Sequence, residues 1–305
     1  MIVPLILFVI GLAFLLKGAS IAVRGAEGLA IRLGVAPATI GFTVIAFGTS
    51  LPELVVTTEA FSRGDIGIGF GNIIGSNIAN IGLVLGLIAL FQPGVSCTTA
   101  PRKNLIWTTF MVLAATAVFI LFAMRGALDT ISGIVFLGIF CAILFSLWRS
   151  APGADLPSED PAPYPLLLTG AGLAAVIIGA HLLLTGAVEI ALAFSISPLV
   201  IGLSMVAIGT SLPELATSVV AALKKSPGVA MGNVLGSNIF NLLFIGGINS
   251  LGTTIPVPDL QILAVLSLFT LGLIPLLSVR PSIIRIAGGA ILSGYIVYIV
   301  LLFLV

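Results

Sequence analysis

The fifteen residues IGFTVIAFGTSLPEL, starting at Ile40, return as IGLSMVAIGTSLPEL, starting at Ile201, an offset of 161. The same offset lays GNIIGSNIAN (Gly71–Asn80) on GNVLGSNIFN (Gly232–Asn241) and Pro37 on Pro198. It also lays Gly18-Ala19 on Gly179-Ala180, and Gly25-Ala26 on Gly186-Ala187. One gapless register over so much chain marks a duplication, not a chance likeness of apolar helices.

The duplicated material is membrane-like. Of 305 residues, 59% are hydrophobic and 8% charged, where a soluble domain carries about 25% charge. That is too little charge to coat a soluble surface. The 35 glycines suit close packing of transmembrane helices. Stretches of about 20 apolar residues occur ten times, at 2–23, 37–61, 66–91, 104–124, 127–148, 164–187, 198–222, 228–251, 259–279 and 283–305.

The expected fold is therefore an all-α polytopic membrane protein of ten transmembrane helices in two five-helix repeats, 1–148 and 164–305. The Pro-rich, acidic linker at 149–163 should be a surface loop. Five spans is an odd number, so the second repeat enters the membrane inverted. Inverted repeats are a transporter signature, with the substrate site near the midplane. Residues 1–16 resemble a signal-peptide core, but a similar segment recurs at 165–184 and no basic region precedes the first. The first helix is expected to be retained.

Basic residues set the orientation. With the N-terminus outside, the inner loops hold Arg24, Arg32, Arg102, Lys103, Arg149, Lys224, Lys225, Arg280 and Arg285. The outer loops hold Arg63 and Arg125; Lys17 lies inside the first span. Both termini are then extracellular and the linker cytoplasmic. A net charge of +1 gives no basis for nucleic-acid binding. Cys97 and Cys141 have no metal-binding spacing, and no obligatory protein partner or organic cofactor is evident. The protein is not expected to be an enzyme: the spans hold no GxSxG, no HExxH and no Asp pair.

Two acids lie mid-span, Glu53 and Glu214, each in GTSLPEL. A carboxylate at bilayer depth costs at least about 2.5 kcal/mol, and no Lys or Arg in these spans is placed to neutralise either. Protons or cations must do so. Pro52 and Pro213 each deprive a carbonyl four residues back of its donor, at Gly48 and Gly209. The nearby carbonyls of Ala46 and Ala207 are further candidates for ligation. Taken alone, the prolines could be ordinary kinks. Thr49, Ser50, Thr210 and Ser211 add hydroxyls within a turn. Oxygen donors without His or Cys suit Ca²⁺ or Na⁺.

In the second motif Asn72, Ser76 and Asn80 share one helix face, as do Asn233, Ser237 and Asn241. They are either polar glue between helices or the other wall of the site. One Ca²⁺, two Na⁺ or two protons neutralise the two glutamates. An empty site would carry two bare charges through a dry occluded state, so the carrier should exchange ions, not leak them. The GA-x5-GA pairs of the first helix of each repeat put small residues on one face, for packing or for sliding. The lone His181 reads as a hydrogen-bonded packing residue near a span end. Glu59 has no acidic mate at Val220 and stays outside the site.

These paired GTSLPE and GNxxGSNxxN motifs resemble the cation/calcium exchanger superfamily, and within it the prokaryotic sodium/calcium exchangers. GTSLPE argues against the proton/calcium branch, although H⁺/Ca²⁺ exchange on the same glutamates is the alternative reading. The resemblance implies a ten-helix integral protein of a prokaryotic plasma membrane that exchanges Ca²⁺ against Na⁺ at four clustered sites. Glu53, Glu214, Thr49 and Thr210 would hold Ca²⁺. Ser50, Ser211, Ser76, Ser237 and the carbonyls of Ala46 and Ala207 would complete the Na⁺ sites, and Asn80 and Asn241 would flank the middle site. The first and sixth helices would slide across the core. Archaeal exchangers of this type can carry Asp where this chain has Asn241, so this site has one fewer titratable group.

Overall fold

A computed structural model describes residues 2–94, 102–149, 162–194, 207–258 and 260–302, with backbone only at 102–104 and 207–208. Helices run at α1 (Ile2–Leu33), α2 (Pro37–Thr49), α3 (Leu51–Arg63), α4 (Ile66–Phe91), α5 (Arg102–Ala123) and α6 (Thr130–Arg149). They continue at α7 (Pro165–Ala193), α8 (Ala207–Thr210), α9 (Leu212–Leu223), α10 (Pro227–Gly252), α11 (Gln261–Leu276) and α12 (Pro281–Leu302). Among the described residues seven helices are long and apolar enough to cross a membrane. The pair α2–α3, bent by 44°, makes an eighth, and α9 and α11 are shorter apolar helices. The chain is an integral membrane protein. Residues 198–206 of the expected seventh span, Cys97, and nearly all of the linker lie outside the described residues.

Some helices outrun their apolar windows. The first span was expected to end at 23, yet α1 continues to Leu33. Its buried face carries on through Ala22, Val23, Ala26, Leu29 and Ala30, while Arg24 and Arg32 stay exposed. Face periodicity, not mean hydropathy, sets that end. Likewise α7 reaches Ala193, so His181 sits well inside the helix and not near its end as expected. It is exposed. Residues 127 and 128, expected to open the fifth span, instead form a two-residue strand paired antiparallel with Ile255–Pro256.

α1 and α7 pack antiparallel, almost backbone to backbone. A Cβ on Gly11 would lie 2.3 Å from the Leu183 nitrogen, one on Gly18 2.7 Å from the Val176 nitrogen, and one on Gly25 2.4 Å from the Thr169 nitrogen. The contact is reciprocal: a Cβ on Gly179 would meet the Gly11 carbonyl at 2.8 Å, and one on Gly172 the Gly18 carbonyl at 2.8 Å. Only glycine permits this approach, which small-residue faces use in membranes. The GA faces therefore pack against each other. Between the halves, a Cβ on Gly232 would sit 2.4 Å from the Ala38 carbonyl, and one on Gly236 2.4 Å from the Phe42 carbonyl. These notches bring α10 onto α2.

Candidate ion-binding site

Two broken helices supply the acids. The break falls at Ser50 (φ −89°, ψ 8°) and at Ser211 (φ −87°, ψ 3°), in the sparsely used bridge region. Pro52 and Pro213 follow in the first turn of α3 and α9, where a missing N–H costs least. The acids come next, and both are buried, Glu53 at 1% exposure and Glu214 at 0%. Facing them, α4 and α10 loosen into π-helix at Asn80–Leu85 and Phe240–Ile245. Such bulges are frequent at functional sites, and here they begin at or beside the two asparagines of the second motif.

Hydroxyl and amide groups tie the halves together. The Ser50 hydroxyl donates to Glu214 Oε1 at 2.9 Å, and the Ser237 hydroxyl reaches the same oxygen at 3.4 Å. The Thr49 hydroxyl donates to Asn233 Oδ1 (3.1 Å) or to the Ala46 carbonyl (3.3 Å). The Thr210 hydroxyl donates to Asn72 Oδ1 at 3.4 Å. Neither glutamate has an ion pair among the described residues; the two ion pairs found are Arg63–Glu59 and Arg125–Asp129, both at the surface.

Many polar atoms here have no partner. Among the described residues thirteen buried side-chain atoms make no hydrogen bond, and nine belong to residues singled out in the sequence. They are both oxygens of Glu53, Glu214 Oε2, the Ser76 and Ser211 hydroxyls, and both amide atoms of Asn80 and of Asn241. Buried polar groups are normally satisfied; the seven oxygens of this set hold lone pairs that a cation can use, while the two amide nitrogens can only donate. No three His, Cys, Asp or Glu side chains come together among the described residues. The set is two carboxylates among neutral oxygens, a donor set for hard cations.

The Ala46 carbonyl, a candidate for ligation, accepts the Ser50 N–H at 3.1 Å and keeps a second lone pair. Pro52 strips the donor from Gly48, two residues further on, so Ala46 keeps its own. The Ala207 backbone lies in α8. Cys141 is free and exposed, and Glu59 is held at the surface by Arg63.

Thr57 and Ser218 were missed. Asn72 donates to Thr57 Oγ1 at 2.8 Å and to the Glu53 carbonyl at 3.3 Å, while Asn233 donates to Ser218 Oγ at 2.9 Å. The 161-residue register held the clue. It keeps a hydroxyl at 57 and 218 while Val56 becomes Thr217 and Thr58 becomes Val219. A cleft of about 400 Å³ between α7 and the broken helices, lined by Pro52, His181, Thr210 and Pro213 among others, leads to the edge of this cluster.

The profile of the sodium/calcium exchanger protein family matches residues 3–149 and 164–304. A membrane protein of Methanocaldococcus jannaschii, MJ0091, is 37% identical over 96% of this chain and 95% of its own length. The sodium/calcium exchanger MaX1 of Methanosarcina acetivorans is 28% identical, covering 99% of both chains. Among solved structures, the sodium-calcium exchanger NCX_Mj soaked with zero Na⁺ and Ca²⁺ superposes with a TM-score of 0.83 at 36% identity, covering 99% of each chain.

Proposed function

This chain belongs to the sodium/calcium exchanger family, and on that premise we propose that it is a Na⁺/Ca²⁺ antiporter working by alternating access at a site built on Glu53 and Glu214. The observation that carries this reading is the concentration of unpartnered buried atoms on Glu53, Glu214, Ser76, Ser211, Asn80 and Asn241. Thr49, Thr210, Ser50 and Ser237 stand beside them, hydrogen-bonded within the same cluster. With the carbonyls of Ala46 and Ala207 they make up the proposed ligand set.

The proposed architecture is ten spans in two inverted repeats, 1–148 and 164–305, joined by a cytoplasmic linker, with both termini outside a prokaryotic plasma membrane. The glycine seam supports the inversion. Gly11 meets Gly179, and adding and subtracting 161 turns that pair into Gly172 and Gly18, which also meet. A contact that maps onto itself in this way is what two-fold-related halves make.

Two carboxylates carry −2, which one Ca²⁺ or two Na⁺ offset. The loaded site can cross an occluded state; the unloaded one crosses only at a desolvation cost on the order of several kcal/mol per charge. Exchange follows, with Ca²⁺ moved one way only when Na⁺ moves the other. Because α1 and α7 meet backbone to backbone, they travel as one body when access alternates.

The test is ⁴⁵Ca²⁺ uptake into proteoliposomes preloaded with Na⁺ at equal pH, against vesicles holding only a pH gradient. Uptake driven by outward Na⁺, and lost in Glu53→Gln, is the expected result. Uptake driven by the proton gradient alone would assign H⁺/Ca²⁺ exchange instead. Full activity in Glu53→Gln would remove the site assignment.

A further inference from the structure

We infer that Asn72 and Asn233 are positioning residues for ion selectivity: each fixes, from its own half, the threonine hydroxyl that the other half contributes to the site. The inference rests on the antiporter reading above.

Each carboxamide has two ends in use. The amide of Asn72 donates to Thr57 Oγ1 and to the Glu53 carbonyl, and its oxygen accepts from Thr210. The amide of Asn233 donates to Ser218 Oγ, and its oxygen accepts from Thr49 at 3.1 Å, nearer than the Ala46 carbonyl that competes for the same proton at 3.3 Å. The two strings are the same under the 161-residue register: Thr57 matches Ser218, Asn72 matches Asn233, and Thr210 matches Thr49. Each crosses between halves at its last bond. The Glu53 carbonyl can only accept, so it fixes which end of Asn72 is nitrogen.

A threonine hydroxyl has one proton and two lone pairs. Once the proton is given to the asparagine, the oxygen can offer only lone pairs to anything else nearby. That is the orientation a cation needs. An unclasped hydroxyl could turn its proton toward the glutamates instead. The string also sets where the oxygen stands: Thr57 and Ser218 anchor the asparagine on the same helix that carries the glutamate, α3 or α9. The distance from Thr210 to Glu53 is thus held by a side-chain bridge through Asn72, and that from Thr49 to Glu214 by one through Asn233. Size discrimination among cations depends on cavity size and on ligand flexibility, and these bridges govern both. The asparagines themselves spend their polar atoms on the strings.

The experiment compares Ca²⁺ and Sr²⁺ transport by the full chain in proteoliposomes. Variants are Asn233→Leu and Asn72→Leu, which remove a string at similar volume, and Ser218→Ala and Thr57→Ala, which loosen its anchor. The wild-type response to a Na⁺ gradient tests the antiporter reading; the ratio of variant to wild type, taken under whichever gradient drives uptake, tests the clasp. The leucine variants should raise the half-saturating Ca²⁺ concentration about tenfold, the scale of the one bond of each string that clasps the site threonine. Their preference for Ca²⁺ over Sr²⁺ should fall, with the maximal rate within about twofold of wild type. The alanine variants should move the same way by about half as much on a logarithmic scale. Unchanged half-saturation and unchanged Ca²⁺/Sr²⁺ preference overturn the inference. So does an equal loss of maximal rate for both ions at unaltered half-saturation, the mark of a merely structural role. If a leucine variant does not fold, its alanine counterpart decides by the same two criteria.

Discussion

Replacing Gly172 by Ala tests the seam between α1 and α7. The new Cβ would stand 2.3 Å from the Ala22 nitrogen, 2.7 Å from the Ala22 Cα and 2.8 Å from the Gly18 carbonyl. All three are backbone atoms, so no side chain can swing away. The helices must part by about 1 Å to restore an ordinary contact of 3.4 Å, and they must do so along the seam because both are rigid. Overpacking of this kind costs about 1–3 kcal/mol, partly offset by the roughly 0.8–1 kcal/mol that alanine gains over glycine in a helix. Gly170 on the same helix is the control. It is exposed and a Cβ there meets nothing within 4 Å, so Gly170→Ala keeps the helix gain without the clash. In thermal unfolding monitored in detergent, Gly172→Ala should melt below Gly170→Ala by about 3–10 °C, at the few degrees per kcal/mol typical of larger domains. Gly18→Ala should behave like Gly172→Ala because the contact is reciprocal. Equal melting of Gly172→Ala and Gly170→Ala would refute the claim that the two backbones touch.

Other outcomes follow from the site and from one helix end. Ser50 holds Glu214 at 2.9 Å while the Ser211 hydroxyl has no partner. Ser50→Ala should therefore raise half-saturating Ca²⁺ by at least about tenfold, as for a hydrogen bond to a charged group, and more than Ser211→Ala does. ⁴⁵Ca²⁺ saturation curves read both; equal effects would contradict the asymmetry. Outside the spans, Asp129 caps α6 by accepting the Ser132 N–H (2.9 Å) and hydroxyl (2.8 Å). Those bonds, with Arg125 beside it, lower its pKa from 3.8 to about 2. The folded value lies below the ordinary one, so the cap is at full strength above pH 4 and is lost as pH falls toward 2. Asp129→Asn should flatten the melting profile between those limits; an unchanged slope in that window would remove the cap from the account.

Much of this was legible because duplication writes each feature twice. The broken helices announced themselves in Pro52 and Pro213, and the buried acids in the lack of any basic neighbour. What could not be read was pairing through space. Nothing in the order of residues says that Ser50 answers Glu214, or that Asn72 and Asn233 reach across to Thr210 and Thr49. The π-helical turns at Asn80 and Phe240 left no mark, since one extra residue in a turn changes no composition. Helix ends were misjudged where Arg24 and Arg32 lie on an outward face, because a hydropathy window averages over faces that a helix keeps apart. Thr57 and Ser218 stand out only through the 161-residue register, since their asparagine partners lie a whole helix away.

The ties between halves also bear on how the protein is made. At about 5–20 residues per second, the second half follows the first out of the ribosome by roughly ten to thirty seconds. Until then Gly11, Gly18 and Gly25 have no helix to meet, and Thr49 and Ser50 lack Asn233 and Glu214. The nascent first half carries only one of the two site glutamates, Glu53, and half of each clasp. It holds no complete binding site, and so the newborn chain offers the cell no half-built path for ions while synthesis is still under way.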